Sequence, residues 1–125
     1  MNYLYVFLGG GLGAALRYGL NSAVPRVLGA QFPWATLIIN IVGCFAVGLI
    51  AAWFVMRPSF ALEWRLFLTT GILGGFTTFS AFSLDFAQLY ERGDTGQAFA
   101  YAAASVVISL LACFAGLMLV RAVAA

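Results

Sequence analysis

The side chains of this sequence that could do chemistry are hydrogen-bond donors set in long apolar stretches. Tyr101, Ser105 and Ser109 are four residues apart, so on a helix they form one stripe of hydroxyl groups about 12 Å long. Isolated serines in membrane helices often bond back to their own backbone, but three in register favour a lined track. Asn40 adds an amide near the centre of another apolar stretch, where it could serve either a ligand or an interhelical hydrogen bond.

A second group of polar residues lies in segment 71–83, which reads GILGGFTTFSAFS. Adjacent glycines and adjacent threonines make a poor helix centre, which favours a break near 74–78 over an unbroken helix packed on a neighbour. A break frees carbonyls that can hold a small cation and amides that favour an anion. Beyond it, Phe79 and Phe82 share a helical face, and Ser80 and Ser83 form a polar pair. Because the edge of an aromatic ring is positive, these rings could line an anion path.

Two charged residues fall inside the apolar stretches. Arg17 is the only basic residue well within one, which makes it a functional candidate, with snorkelling to the interface as the alternative. Asp85 lies near the outer end of another stretch, where we expect an arginine or a hydroxyl partner at the membrane interface. These spans offer hydrogen-bond donors but no carboxylate near the membrane centre. Such a set suits a small anion better than a cation or a proton-coupled substrate. No nucleophile–base pair is visible, so an enzyme is not expected.

Composition limits the remaining classes. The 125 residues predict a single domain spanning 1–125; they are 64% hydrophobic and only 8% charged, which is typical of an integral membrane protein. There is no histidine, which excludes a histidine-based metal site or general base. Cys44 and Cys113 are interpreted as small apolar fillers. The net charge of +2 is too small and too scattered to indicate nucleic acid binding.

Long gaps between the charged residues predict four membrane-spanning helices, at about 3–28, 32–55, 64–90 and 97–123. The first has no basic region before it, so it is interpreted as a retained helix and not as a signal peptide. Short connections make neighbouring helices antiparallel and place both termini on one side. Small residues four apart, such as Gly9 and Gly13, predict close helix packing.

The arginines do not select an orientation for these helices. The side of the termini carries three arginines and the other side two or three: Arg57, Arg65 and Arg121 against Arg26, Arg92 and Arg17. This balance has two interpretations. Either the insertion machinery resolves a weak bias, or the chain inserts both ways and pairs with an inverted copy of itself.

With these residues in these positions, the sequence resembles those of the Fluc/CrcB family of fluoride ion channels. The resemblance covers essentially the whole chain and is carried by segments 10–18 (GGLGAALRY), 40–43 (NIVG) and 74–83 (GGFTTFSAFS), of which the last is the most specific. The family commonly has threonine where this chain has Ala81, a position that is not assigned to the pore.

The resemblance implies a fold and an assembly. The fold is all-α, with four transmembrane helices of which the third is broken mid-membrane, assembled as an antiparallel dual-topology homodimer with two pores. A structural Na+ ion at the dimer centre would be held by the backbone carbonyls of Gly74 and Thr77 of each subunit. The implied function is passive efflux of cytoplasmic fluoride across the bacterial inner membrane, which relieves fluoride toxicity.

The resemblance also implies roles for individual residues. Fluoride would pass between Phe79 and Phe82, beside Asn40. The other implied members are the hydroxyl track of Tyr101, Ser105 and Ser109, the supporting donors Thr78, Ser80 and Ser83, and Arg17, which would line a vestibule or stabilise the fold.

Two other functions compete with this one. A small dual-topology, proton-coupled multidrug exporter would share the size, span number and charge balance, but it should carry an acid in its first span, and this chain has none there. A non-transporting membrane subunit would only pack against a partner, and ion flux through the purified protein alone would exclude it.

Overall fold

The computed structural model describes residues 1–59 and 61–124, and the regular structure in them is helical. The two helices of the first half are α1 (Asn2–Leu28) and α2 (Trp34–Met56). A composite segment follows, built from α3 (Leu62–Arg65), a π-helical stretch (Leu66–Leu73) and α4 (Gly74–Phe76). The last two helices are α5 (Phe79–Glu91) and α6 (Thr95–Ala124).

Three parts of the described chain are long and apolar enough to cross a membrane: Trp34–Met56, Leu62–Glu91 and Thr95–Val123. Their ends lie within two residues of the predicted spans 32–55, 64–90 and 97–123, and these apolar helices are those of a membrane protein. Helix α1 matches the predicted span 3–28 in its bounds. It is less apolar than the other three because it contains several glycines and tyrosines.

Helix α1 contacts the π-helical stretch backbone to backbone. A Cβ atom added to Gly9 would lie 2.5 Å from the carbonyl oxygen of Phe67, and one added to Gly13 would collide with the carbonyl of Ile72. Gly75 is held equally closely against the backbone of Gly10. The close packing predicted at Gly9 and Gly13 is therefore confirmed, and it fixes the composite segment against α1.

Helices α2 and α6 form the second close pair. A Cβ atom added to Gly48 would collide with the carbonyl of Cys113, and one added to Gly116 would collide with the carbonyl of Phe45. These contacts close the α2–α6 interface toward the end of α2.

The described core lies at the opposite end of this interface. Its buried members are Leu37 at the start of α2, Leu89 at the end of α5, and Ala98 and Tyr101 at the start of α6. Arg92 holds the same end together, since its Nη2 donates to the carbonyl of Gln31 at 2.6 Å and so joins the α5–α6 turn to the α1–α2 turn.

The glycine contacts make a direct prediction for stability. Gly13→Ala should lower the thermal stability of the protein, because its new methyl group meets a backbone carbonyl that cannot rotate away. Overpacking of this kind costs about 1–3 kcal/mol. Gly11→Ala is the matched control, since a Cβ atom there meets nothing within 4 Å. The measurement is the fraction of detergent-solubilised protein that stays monodisperse after heating, and equal loss in the two variants would contradict the prediction.

Candidate functional site

Two extended residues separate α4 from α5. Thr77 has φ -80° and ψ 154°, and Thr78 has φ -154° and ψ 125°. The helix resumes at Phe79, where the hydroxyl of Thr78 caps it by accepting the Ala81 N–H at 3.2 Å. Threonine is a favoured capping residue because its side-chain oxygen satisfies an N–H in the first turn. This pair lies within the region 74–78 where the sequence predicts a break.

The Asn40 side chain forms hydrogen bonds with both polar backbone groups of Thr78. Its Nδ2 donates to the Thr78 carbonyl at 3.0 Å, and its Oδ1 accepts the Thr78 N–H at 2.9 Å. Of the two roles open to Asn40 from the sequence, the interhelical hydrogen bond is thus present. An amide nitrogen carries two hydrogens, so a second donor remains for another acceptor.

The extended segment also deprives two carbonyls of their helical donors. In a continuous helix the Gly74 carbonyl would accept from the Thr78 N–H, and the Thr77 carbonyl from the Ala81 N–H. The Thr78 N–H donates to Asn40 instead, and the Ala81 N–H donates to the Thr78 hydroxyl. Unwound carbonyls at a half-helix end are a known way to hold Na+ within a membrane protein. The backbone at Gly74 and Thr77 therefore fits the cation implied for it.

Arg17 contacts the same segment. Its Nε donates to the Gly75 carbonyl at 3.2 Å, and the side chain is half-buried between α1 and the end of α4. The guanidinium group thus supplies a donor to one carbonyl at the end of α4, and it places a positive charge beside the extended pair.

A cavity of about 370 Å³ opens beside the extended pair. Its walls come from α2, from the start of α5 with the residues before it, and from α6: Asn40 and Cys44, then Thr77, Thr78, Phe79 and Phe82, then Ser105, Val106, Ser109 and Leu110. Five of the predicted pathway residues meet here, namely Asn40, Phe79, Phe82, Ser105 and Ser109. Of the described residues, those that line the cavity include no aspartate or glutamate.

Three aromatic rings lie in a row, and two of them, Phe79 and Phe82, line the cavity. The Phe79 and Phe82 ring centroids are 5.4 Å apart with the planes at 45°, and the Phe82 and Tyr101 centroids are 5.2 Å apart. Phe82 is half-buried against the core, whereas Phe79 is 77% exposed at the open side of the cavity. The ring pair therefore connects the buried hydroxyl stripe to the outer surface of the single chain.

The hydroxyl stripe on α6 divides into a bound end and a free end. Tyr101 is fully buried, and its hydroxyl donates to Asp85 Oδ2 at 3.2 Å, so the hydroxyl partner expected for Asp85 is confirmed. The Oγ atoms of Ser105 and Ser109 are buried and have no hydrogen-bond partner within the described part of the chain. Ser105 lies beside the Tyr101 hydroxyl and Ser109 beside the Cys44 thiol, but neither pair has good hydrogen-bond geometry. Since buried polar atoms are nearly always paired, both Oγ atoms remain available to an ion or water.

Sequence similarity identifies the family of this chain. Residues 4–117 match the family model described as CrcB-like protein, Camphor Resistance (CrcB). The chain belongs to this CrcB-like family. The resemblance to this family that segments 10–18, 40–43 and 74–83 indicated is thereby confirmed.

Curated relatives of this CrcB-like chain are similar over nearly their whole length. The "Fluoride-specific ion channel FluC 2" of Nitrobacter hamburgensis is 55% identical over 121 residues, which cover 97% of this chain and 98% of that protein. The "Fluoride-specific ion channel FluC" of Rhodopseudomonas palustris is 53% identical over 98% of this chain and 99% of that protein. The protein of the same name from Mesorhizobium japonicum is 54% identical over 96% of both chains.

The predicted donors of α5 in this CrcB-like chain lie outside the cavity. The Ser80 hydroxyl is exposed and within 3.1 Å of the Thr78 hydroxyl, so it supports the helix cap. Ser83 is exposed on α5 and does not line the cavity. Their roles along an ion path remain predictions.

A second polar stripe faces the first, and two of its members were not predicted from the sequence. Thr36, Asn40 and Cys44 are four residues apart on α2, just as the hydroxyl residues are on α6. Thr36 is 5% exposed and lies beside Tyr101, while Cys44 lines the cavity with Ser109. The spacing was visible in the sequence, but a lone threonine and a lone cysteine in an apolar helix resemble filler. We call these two facing stripes the polar seam.

Proposed function

We propose that this CrcB-like chain is a fluoride-selective passive ion channel. The observation that carries the proposal is the cavity, where the free hydroxyls of Ser105 and Ser109 and the second amide hydrogen of Asn40 meet an aromatic pair. A small, strongly hydrated anion crosses a membrane only if donors replace its water shell. Fluoride is supported as the ion by the names of relatives about half identical to this chain.

The proposed path runs along the polar seam and leaves past the rings. Within the cavity an anion would be passed from the hydroxyl of Ser105 to that of Ser109, with the Asn40 amide opposite. The positive edges of Phe82 and Phe79 would then take over from the hydroxyl donors. The extended backbone at Thr78 is tolerated in a membrane only where protein or a polar cavity surrounds it, and the reciprocal bonds from Asn40 provide that here.

We further propose that the path is completed by an inverted second copy, as an antiparallel dual-topology homodimer. Beyond Cys44 and Ser109 the seam is closed by the backbone contacts at Gly48 and Gly116, so an anion must leave sideways. The sideways exit passes Phe79, which is 77% exposed on one chain. In a single subunit that exit would face lipid, which solvates no anion. The even distribution of arginines is compatible with insertion in both directions.

The structural cation belongs to the same assembly. The Gly74 and Thr77 carbonyls of two chains would supply four oxygen ligands to a Na+ ion on the dimer axis. That ion would add a fixed positive charge close to the anion path. Arg17, which satisfies the neighbouring Gly75 carbonyl, would stabilise this backbone as well as add positive charge to the vestibule.

The proposed physiological setting is the bacterial inner membrane. Helix α1 would cross it as the fourth span beside the three apolar ones, and the extended pair would interrupt the third span within the hydrocarbon region. A passive channel there lets accumulated cytoplasmic fluoride flow out down its gradient. A transporting channel of this kind carries out no covalent chemistry, so no enzymatic activity is expected.

The test is fluoride efflux from proteoliposomes containing only the purified protein, followed with a fluoride electrode, with chloride efflux from parallel vesicles as the control. We expect rapid fluoride efflux when a potassium ionophore balances charge, and chloride efflux at the level of protein-free vesicles. Equal efflux of both ions would refute selectivity. Efflux that appears only with a counter-flow of protons would favour the multidrug exporter class, and no flux at all would favour a non-transporting subunit.

A further inference from the structure

Cys44 lies where the polar seam ends. It is one helical turn beyond Asn40 on α2, its thiol is free, and it lines the cavity together with Ser105 and Ser109. Ser105 is only 7% exposed, and its unpaired Oγ belongs to the same cavity wall. The thiol therefore lies among groups that are free to take a ligand, and it is more than a filler between helices.

The backbone contacts beyond Cys44 close the seam, so an ion path along it must turn at this residue. We call this position the corner of the path. Gly48 is one further turn along α2 and is held against the Cys113 carbonyl, and Gly116 is held against the Phe45 carbonyl. Nothing larger than a glycine hydrogen fits between the helices there. An anion at Ser109 lies in the same cavity as the Cys44 thiol and Phe79, and the helix contact beyond Cys44 is closed to it.

We propose that Cys44 is a lining residue of the ion path and a site at which soft metal ions, represented by mercuric ion, block it. This inference rests on the proposed channel function. Mercuric chloride is neutral and linear, so it can enter a largely apolar cavity without the desolvation cost of a charged ion. At the thiol, an S–Hg bond forms, one Hg–Cl bond breaks, and the thiol proton leaves with the chloride, with no change in oxidation state. The attached Hg–Cl group then occupies the corner of the path.

Cys113 provides a matched control on the facing helix. It is also a free, half-buried thiol in a membrane-spanning helix. It does not line the cavity, and its own carbonyl forms part of the closed contact with Gly48. A reagent that blocks flux through general damage to the protein should act through either cysteine, whereas block at the corner of the path requires Cys44.

The experiment compares wild type, Cys44→Ser and Cys113→Ser in proteoliposomes treated with mercuric chloride, with adducts counted by intact-protein mass spectrometry. Serine keeps the size and a hydrogen-bond donor, and the flux of each variant after treatment is expressed as a fraction of the flux of the same variant before treatment. We expect mercury to reduce flux through wild type and Cys113→Ser to the level of protein-free vesicles, with recovery on adding dithiothreitol, and to leave Cys44→Ser unaffected.

The outcomes separate this inference from the channel assignment. A Cys113→Ser protein that carries one mercury adduct yet conducts normally would overturn the inference and leave the channel intact. Block of Cys44→Ser as complete as that of wild type would overturn it too, as would failure of Cys113→Ser to form the adduct in its folded state. Absence of fluoride flux from untreated wild type would instead refute the channel assignment on which the inference rests.

Discussion

Replacing Asn40 with aspartate should abolish fluoride flux. The substitution keeps the shape of the side chain and leaves an oxygen to accept the Thr78 N–H, but it removes the Nδ2 donor that now bonds the Thr78 carbonyl at 3.0 Å. It also places a negative charge in a cavity whose described lining contains no acid. Charged aspartate in the centre of a membrane helix costs about 2.5–3.5 kcal/mol, and a repulsion of the same size between this carboxylate and a passing anion corresponds to about a 70- to 400-fold loss of rate.

The comparison variants separate charge from folding. Asn40→Ala leaves both polar groups of Thr78 unpaired, at about 1–3 kcal/mol for each buried group, so it should lower thermal stability as well as flux. Gln97→Glu makes the same amide-to-carboxylate change at an exposed position near the start of α6, and its flux should match wild type. The measurement is initial fluoride efflux per reconstituted protein. Wild-type efflux through Asn40→Asp would remove Asn40 from the path.

The helices of this protein could be predicted closely because hydrocarbon imposes a simple requirement. Each span needs about 20 apolar residues, and charged residues mark where it ends. The close approach of α1 to the composite segment could also be predicted, since Gly9 and Gly13 lack the side chains that would separate the helices. The π-helical stretch Leu66–Leu73 could not. Its hydrogen-bond pattern depends on how the backbone adapts to the neighbouring helices, and no residue type predicts a π-helix.

The candidate site was predictable where a single helix encodes it. Tyr101, Ser105 and Ser109 share a face because of their spacing alone, and the extended pair at Thr77 and Thr78 follows a run of residues unsuited to a helix centre. The facing stripe on α2 was missed because its meaning depends on which helix lies opposite. The partner of Asn40 was equally hidden, because a backbone N–H and carbonyl carry no sequence signature.

The spacing of residues along a helix likewise does not show what each face of that helix contacts. Ser80 and Ser83 are three residues apart, as are Phe79 and Phe82, yet only the two rings line the cavity of one chain. The tertiary position of α5, held by Asn40 at its start and by Leu89 in the core at its end, decides which of the two pairs faces α6.

Phe82→Ile should reduce fluoride efflux strongly while preserving the fold. Isoleucine fills most of the space between Phe79 and Tyr101, whose rings have centroids 5.4 Å and 5.2 Å from that of Phe82, but it has no positive ring edge. An edge interaction as strong as that between two aromatic rings, about 0.5–1.5 kcal/mol, corresponds to about a two- to tenfold loss of rate. The substitution also interrupts the row of rings from Tyr101 to Phe79, so we expect the loss of fluoride efflux to reach about tenfold or more.

The same substitution elsewhere shows whether the ring acts through the path or through packing. Phe114→Ile is the matched control, because Phe114 is 60% exposed and lies outside the cavity; its efflux should equal that of wild type. Phe82→Tyr keeps the ring and should retain most of the flux that Phe82→Ile loses. Thermal stability should fall only slightly in Phe82→Ile, since apolar volume is largely conserved. Full fluoride efflux through Phe82→Ile would show that the ring merely packs against Tyr101, and the anion would then have to leave the seam by the hydroxyl donors alone.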